Sequence, residues 1–165
     1  MPSPARRAIN NELFPRFSRL MPSGGRILFV GVNTTYDYGE MFFSDCVFET
    51  LDIRPTTNPT HTGDIRFCPL PDSSYDGIIL IGVYEFLDGG GNVFTEMNRM
   101  LKPGGRALIC VPSIGFYSDR IKYLMPGEVY DRLLPLKLLE MVVTYYRDTP
   151  YYIHTICRKG ANENM

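Results

Sequence analysis

The sequence lacks most of the short signatures that assign a chain directly to a class of enzyme. It contains no phosphate-binding P-loop, no G-x-G-x-x-G of the nicotinamide-binding type and no G-x-S-x-G elbow. Its two histidines, His61 and His154, belong to no cluster with metal-ligand spacing, so no metal site is predicted. Both are interpreted as structural residues.

A long apolar run and an excess of charge are also missing. No stretch approaches the length that spans a bilayer, and Arg6 and Arg7 are not followed by the apolar run of a signal peptide. The 17 basic and 18 acidic residues give a net charge of −1, which offers no electrostatic attraction to nucleic acid or to an anionic membrane. We therefore expect neither as a partner.

Cysteine is scarce, and its spacing argues against disulfides. The four cysteines form no C-x-x-C pair: Cys46, Cys68, Cys110 and Cys157. Because Cys110 and Cys157 lie inside apparent core strands, we expect buried free thiols and a reducing, cytoplasmic environment.

A length of 165 residues predicts one domain with a substantial hydrophobic core. We divide it into an N-terminal helical segment (1–21), a core (25–158) and a frayed tail (159–165). In the helical segment the apolar residues share one stripe, which Pro15 interrupts, so a kink or two short helices are expected. The residues of this stripe are Ile9, Leu13, Phe14, Phe17 and Leu20.

The clearest local pattern runs from Tyr75 to Pro112. Asp76–Ile81 is a short apolar run typical of a buried parallel strand, and Asn92 can cap a helix with apolar residues at helical spacing. Lys102 suits the last turn of that helix, and the following Pro-Gly-Gly is expected to end it. Arg106–Val111 is then a second strand, which makes one right-handed βαβ unit.

The rest of the core predicts more strands than helices. Arg26–Val30 and Val47–Ile53 read as strands, with a short helix between them in Tyr38–Asp45. A brief third strand is expected after Gly63-Asp64-Ile65. Val129–Leu139 predicts a short helix broken by Pro135, and two alternating segments, 140–147 and 151–158, predict an antiparallel pair.

Two connections are too rich in proline for helices. Arg54–Gly63 and Arg66–Ser74 each contain two prolines, so the crossovers on either side of the third strand are predicted without helices. Parallel strands need cover on both faces, and large exposed apolar patches are uncommon on monomers. Either the N-terminal helix or a second subunit must cover the apolar surface near strands two to four, and we expect a homodimer or a protein partner.

The segment DSSYDGIILIGVYEFLD…MNRMLKPGGRALICVPS resembles the second half of class I S-adenosylmethionine-dependent methyltransferases. The resemblance covers about residues 25–158 and is strongest between Asp72 and Pro112. It implies a three-layer, Rossmann-like α/β sheet, mostly parallel with a C-terminal antiparallel hairpin, and S-adenosylmethionine as cofactor. The implied activity is O- or N-methylation of a small molecule or sugar, in glycan or secondary-metabolite synthesis.

The first strand-to-helix turn is expected at the carboxyl edge of the sheet, where ligands bind. Gly31 lets the backbone approach a ligand, although as a tight turn it needs none, and the amide of Val32 that follows can hydrogen-bond to it. The family has an acidic residue and three glycines here, whereas this chain has Phe29 and only Gly31. Asn33 is interpreted as replacing part of the lost hydrogen bonding.

Two acidic residues carry the predicted nucleoside site. Asp52 follows Gly31 at the distance at which an acidic residue accepts both ribose hydroxyls, although it also suits the turn before Pro55. The resemblance implies that Asp64 holds the adenine amino group. It further places the apolar neighbours and the end of the fourth strand in the cofactor site, namely Ile53, Ile65, Gly82 and Val83.

Methyl transfer requires alignment more than catalytic groups, so few obligatory residues are expected. Glu85 is the best positioned candidate base, although a structural hydrogen-bonding role explains it equally well. The family often has Glu-His here, whereas this chain has Glu85-Phe86. Tyr84 and the region of Tyr117 are candidates for an acceptor pocket. The competing hypothesis is a methyltransferase-like scaffold or partner subunit without activity.

Overall fold

The computed structural model describes residues 8–32, 37–87, 92–113 and 123–160. They form one seven-stranded sheet in the order β3-β2-β1-β4-β5-β7-β6. The strands are β1 (Arg26–Val30), β2 (Val47–Asp52), β3 (His61–Thr62), β4 (Tyr75–Ile81), β5 (Leu101–Pro112), β6 (Lys137–Tyr146) and β7 (Thr149–Arg158). The first five strands pair in parallel, and β7 pairs antiparallel with both β5 and β6. This is the predicted fold class.

Helices cover the sheet on two sides because the strands are apolar on both faces. One face carries a π-helical turn (Ile9–Leu13), α1 (Phe14–Ser18) and α2 (Tyr38–Phe42). The other face carries α3 (Val93–Met100) and α4 (Val129–Arg132). Alternate residues of β1 point to the two cores, since successive strand residues face opposite ways.

The two proline-rich crossovers contain no α-helix, as predicted. Each is reduced to a single 3₁₀ turn, Pro55–Thr57 before β3 and Ile65–Phe67 after it. The sheet face beside them carries a row of hydrogen-bonded polar side chains, one from each of the four neighbouring strands: His61, Glu49, Arg26 and Tyr75. This polar row lies where we expected apolar surface.

The helix before β5 is shorter than predicted. It ends at Met100, and Leu101 already has extended backbone angles and pairs with Tyr75. The reason is Pro103, because the residue before a proline avoids the α region. Lys102 therefore contacts no helix end, and its Nζ donates to Asp76 Oδ2 at 2.7 Å.

Several further details differ from expectation, since β5 already begins at Leu101 instead of Arg106 and β6 at Lys137 instead of residue 140. The third strand, His61–Thr62, precedes Gly63-Asp64-Ile65 instead of following it, because Asp64 caps the 3₁₀ turn. Leu20 lies outside the buried stripe and is 48% exposed. The last hairpin turns at Arg147-Asp148, whose positive φ values match the twist of a two-residue hairpin.

All four cysteines are free, and Cys110 and Cys157 are buried as predicted. Within the described ranges, no helix has the length and apolar character that crossing a bilayer would require.

Candidate cofactor site

A cavity of about 880 Å³ opens at the carboxyl edge of the parallel strands. Such volumes are typical of small-molecule and cofactor sites. The ends of β1, β2 and β4 and the start of β7 meet here, because β7 runs antiparallel to its neighbour β5. The sheet topology alone therefore brings together residues that are more than a hundred positions apart in the chain.

Every predicted cofactor residue in the described part of the chain lines this cavity. These residues are Gly31, Val32, Asp52, Ile53, Asp64, Ile65, Gly82 and Val83. Asn33 and Tyr117 lie outside the described residues. The two carboxylates therefore lie on the same rim, and the cavity between them is open.

Asp52 is buried and surrounded by donors. Its Oδ2 accepts from the backbone N–H of Val32 at 2.9 Å and from Arg54 Nη2 at 3.1 Å. Its Oδ1 accepts from the backbone N–H of Arg54 at 2.8 Å and from Arg54 Nε at 3.0 Å. Burial alone would raise the pKa of Asp52, but these bonds outweigh it and hold the pKa below its ordinary value.

Asp64 has a similar arrangement. Arg66 donates its backbone N–H to Oδ1 at 2.9 Å and its Nη2 to Oδ2 at 2.6 Å. The guanidinium of Arg66 holds the pKa of Asp64 below its ordinary range. The side chains of Asp64 and Arg66 are 19% and 23% exposed, so both are partly withdrawn from solvent.

The glycines shape the backbone that lines the cavity. Gly31 has φ +86°, and a Cβ at this position would lie 2.3 Å from Val83 Cγ2. The Gly31 N–H donates to the carbonyl of Leu51, which ties the turn after β1 to β2. The turn after β1 and the turn after β4 therefore meet only because this residue has no side chain.

Sequence reasoning missed several residues of the cavity wall. Arg54 and Arg66 belong to a repeated Asp-Ile-Arg sequence at 52–54 and 64–66, and this repeat is the signal that marks them. The aromatic part of the wall comes from Phe29, Tyr38, Phe86, Tyr151 and Tyr152. Among the described lining residues, all charged groups belong to the two Asp-Ile-Arg segments, and the remaining wall is uncharged.

Glu85 does not line the cavity and lies behind Gly82. Its Oε1 lies 3.9 Å from the position that a Cβ on Gly82 would take, and it accepts a 3.1 Å hydrogen bond from the hydroxyl of Tyr152. Its Oε2 is buried and has no hydrogen-bond partner among the described residues. Burial raises the pKa of Glu85. This geometry favours the structural hydrogen-bonding role over that of a base.

Glu85→Gln is expected to become more stable relative to the original chain as pH rises from 4 to 8. A raised folded-state pKa stabilises the fold below the unfolded pKa, and this stabilisation is lost as pH rises through the folded value. Glutamine cannot ionise and keeps an acceptor for Tyr152. Urea denaturation at several pH values measures the difference, with Glu12→Gln at an exposed position as control. Parallel pH curves for Glu85→Gln and the original chain would contradict the assignment.

Comparison with known proteins agrees with this geometry. Residues 45–109 match the methyltransferase domain family. No curated protein sequence matches the chain. A S-adenosylmethionine-dependent methyltransferase from Methanosarcina mazei has the same fold with 11% identity and a TM-score of 0.72, over 90% of this chain and 98% of that one.

Two further solved structures are similar. The N-methyltransferase NodS from Bradyrhizobium japonicum, in complex with S-adenosyl-L-homocysteine, has a TM-score of 0.70 and 15% identity, over 93% of this chain and 88% of its own. A putative methyltransferase in complex with the Haloferax volcanii Trm112 activator has a TM-score of 0.67 and 12% identity, over 95% of this chain and 94% of that one.

The sheet order and the cavity at its carboxyl edge define a Rossmann-like protein of the methyltransferase type. The sequence match in residues 45–109 and the shared fold agree with the predicted resemblance to class I S-adenosylmethionine-dependent methyltransferases.

Proposed function

We propose that this protein transfers a methyl group from S-adenosylmethionine to a small molecule or sugar. The observation that supports the proposal most directly is that Asp52 and Asp64 line one cavity together with Gly31 and Gly82. A nucleoside offers two hydroxyls and an amino group as donors, and two carboxylates are suitable acceptors for them. The flanking Ile53 and Ile65 provide apolar contact for a flat ring.

The residues fit the nucleoside end of the cofactor better than the amino-acid end. Asp52 would accept from the ribose, Asp64 from the adenine, and the backbone of Gly31 and Val32 would approach the chain that joins ribose to sulfur. Phe29 lies near the end of β1, where the family has an acidic residue, and its side chain lines the cavity. No described lining residue other than Asp52 and Asp64 carries a carboxylate, so the cofactor's ammonium group needs another anchor.

When bound, S-adenosylmethionine supplies a methyl group on a positively charged sulfur, ready for in-line displacement. The contribution of this chain is alignment of the acceptor and exclusion of water, which lower the barrier without a covalent intermediate. Tyr152 lines the cavity and donates to Glu85, so we propose that Glu85 orients this tyrosine. Glu85 itself is a positioning residue because its carboxylate is screened from the cavity.

The uncharged aromatic wall supports a neutral acceptor. Tyr38, Tyr151 and Tyr152 line the cavity with aromatic rings, which suit an aromatic small molecule or a sugar ring. The balanced net charge gives no attraction for nucleic acid. The free cysteines support a reducing compartment such as the cytoplasm.

Calorimetric titration with S-adenosylhomocysteine tests the function. We expect the original chain to bind, and Asp52→Ala to bind at least tenfold more weakly, or about 1.4 kcal/mol, because the ribose hydroxyls lose their acceptor. Asp131→Ala, at an exposed position in α4, is the control and is expected to bind normally. Thermal denaturation checks that each variant is folded. Absence of heat with both S-adenosylmethionine and S-adenosylhomocysteine would favour the inactive scaffold instead.

We also propose that a second copy or a protein partner covers the rim beside the short crossovers. Ile53, Phe67 and Phe86 are 64%, 74% and 69% exposed. The similar methyltransferase in complex with the Trm112 activator shows that a protein of this fold takes a protein partner. Sedimentation equilibrium of the purified chain distinguishes a homodimer from a monomer.

A further inference from the structure

We propose that the Arg54 side chain fills the acceptor positions on the Asp52 carboxylate that the ribose hydroxyls would use. It leaves these positions when a nucleoside binds. This inference rests on the proposed function, since it concerns the same cavity. It makes Arg54 a residue that sets the affinity of the site without contacting the nucleoside.

The acceptor capacity of Asp52 is fully used. An ionised carboxylate offers about four lone-pair positions. Each oxygen of Asp52 accepts one backbone N–H, from Val32 or from Arg54, and one N–H of the Arg54 side chain. A ribose hydroxyl therefore finds no free position on either oxygen while Arg54 is in place.

When the Arg54 side chain leaves, the Asp52 carboxylate has the free acceptor positions that the ribose hydroxyls require. The two backbone bonds remain, because they come from fixed turns after β1 and β2. One lone-pair position then becomes free on each oxygen, and the ribose has two hydroxyls. The backbone donors continue to keep the carboxylate ionised and in place.

Arg54 is exposed enough to leave easily, and Arg66 is not. The Arg54 side chain is 62% exposed, whereas that of Asp52 is 4% exposed, so the guanidinium can return to water while the carboxylate stays buried. Arg66 is only 23% exposed, and its guanidinium lies 5.6 Å from the ring centre of Phe67. On Asp64 the Arg66 Nε is shared between the two oxygens, at 3.0 Å from Oδ1 and 3.2 Å from Oδ2, so an adenine amino group, which is a single contact, can take the longer of these two positions while Arg66 stays. The exchange is therefore assigned to Arg54 alone.

The experiment compares two neutral probes, adenosine and 2′,3′-dideoxyadenosine, by calorimetry. For Arg54→Ala we expect adenosine to bind three- to tenfold more tightly than it binds the original chain, because no side chain competes for Asp52. The affinity for the dideoxy compound, which lacks both hydroxyls, is expected to be unchanged. Arg54→Lys keeps the charge but loses the planar guanidinium that matches a carboxylate. Its affinity for adenosine is expected to lie between that of the original chain and that of Arg54→Ala.

Arg66→Ala is the matched control, since it removes the arginine of the other Asp-Ile-Arg segment. We expect no adenosine-specific gain from it. A second readout is the Nε–H resonance of Arg54 in the original chain, which should lose its hydrogen-bonded shift when adenosine is added. Thermal denaturation confirms that each variant is folded.

The outcomes separate this inference from the function itself. Equal or weaker binding of adenosine to Arg54→Ala, with normal binding to the original chain, overturns the inference and leaves the function standing. An equal gain for the dideoxy compound also overturns it, because the gain would then not concern the hydroxyls. If neither adenosine nor S-adenosylhomocysteine binds any of the proteins, the proposed function fails and this inference fails with it.

Discussion

Gly31→Ala is expected to lose about 2–5 kcal/mol of folding stability and to abolish measurable binding of S-adenosylhomocysteine. Two costs add. At φ +86° an L-residue has a conformational penalty of about 1–2 kcal/mol. The new Cβ would also lie 2.3 Å from Val83 Cγ2, and such overpacking typically costs about 1–3 kcal/mol. Because both turns line the cavity, relief of the clash must deform the site.

Gly104→Ala separates the two costs. Gly104 has φ +78°, nearly the same backbone conformation, but a Cβ there would meet nothing within 4 Å. This control is expected to lose only the conformational part, about 1–2 kcal/mol, and to bind normally. Urea denaturation and calorimetry measure both quantities. Equal stability losses in the two variants, or normal binding by Gly31→Ala, would show that contact with Val83 has no importance.

The layered architecture could be predicted because its signals are local. The limits of β1 are as predicted, and those of β4 and the start of α3 lie within one residue of expectation, since buried strands and an amphipathic helix have characteristic periods. The end of α3 was wrong because the motif Leu-Lys-Pro-Gly-Gly suggests a helix stop, whereas Pro103 ends the helix two residues earlier. The absence of helices beside β3 followed directly from proline content.

The candidate site was predictable only where spacing or family resemblance marks a residue. Asp52 and Asp64 were identified this way, and the structure brings them to the same cavity. Tyr152 was missed because it joins the wall only through the antiparallel pairing of β7 with β5. The hydrogen bonds from the Arg54 side chain to Asp52 were missed. They depend on the geometry of the turn after β2, and the composition of the segment does not reveal that geometry.

The polar row beside the short crossovers is expected to make a large contribution to folding stability, and Glu49 is at its centre. Glu49 accepts from Arg26 Nε at 2.6 Å and from the hydroxyl of Tyr75 at 2.8 Å, and its Oε2 lies 2.7 Å from His61 Nε2. Burial alone would raise the pKa of Glu49, but these hydrogen bonds lower it to about 2. Tyr75 is fully buried, so its hydroxyl depends on this carboxylate within the described structure.

Glu49→Ala is therefore expected to lose about 2–4 kcal/mol at pH 7, because a buried hydroxyl and a guanidinium lose their common partner. A carboxylate with a depressed folded-state pKa stabilises the fold above its unfolded value, and this contribution is lost as pH falls through the folded value. The penalty of the variant should thus shrink between pH 5 and pH 2, as the original chain loses the same contribution. Urea denaturation across this range measures it.

Glu140→Ala is the matched control for this change. Glu140 pairs with Arg16 at 2.5 Å, but the two side chains are 32% and 43% exposed, and such surface pairs contribute less than about 1 kcal/mol. If Glu49→Ala is no more destabilising than this control, the polar row does not stabilise the uncovered half of the sheet. If it is, hydrogen bonds among side chains of four neighbouring strands stabilise the sheet beside the two crossovers that lack an α-helix.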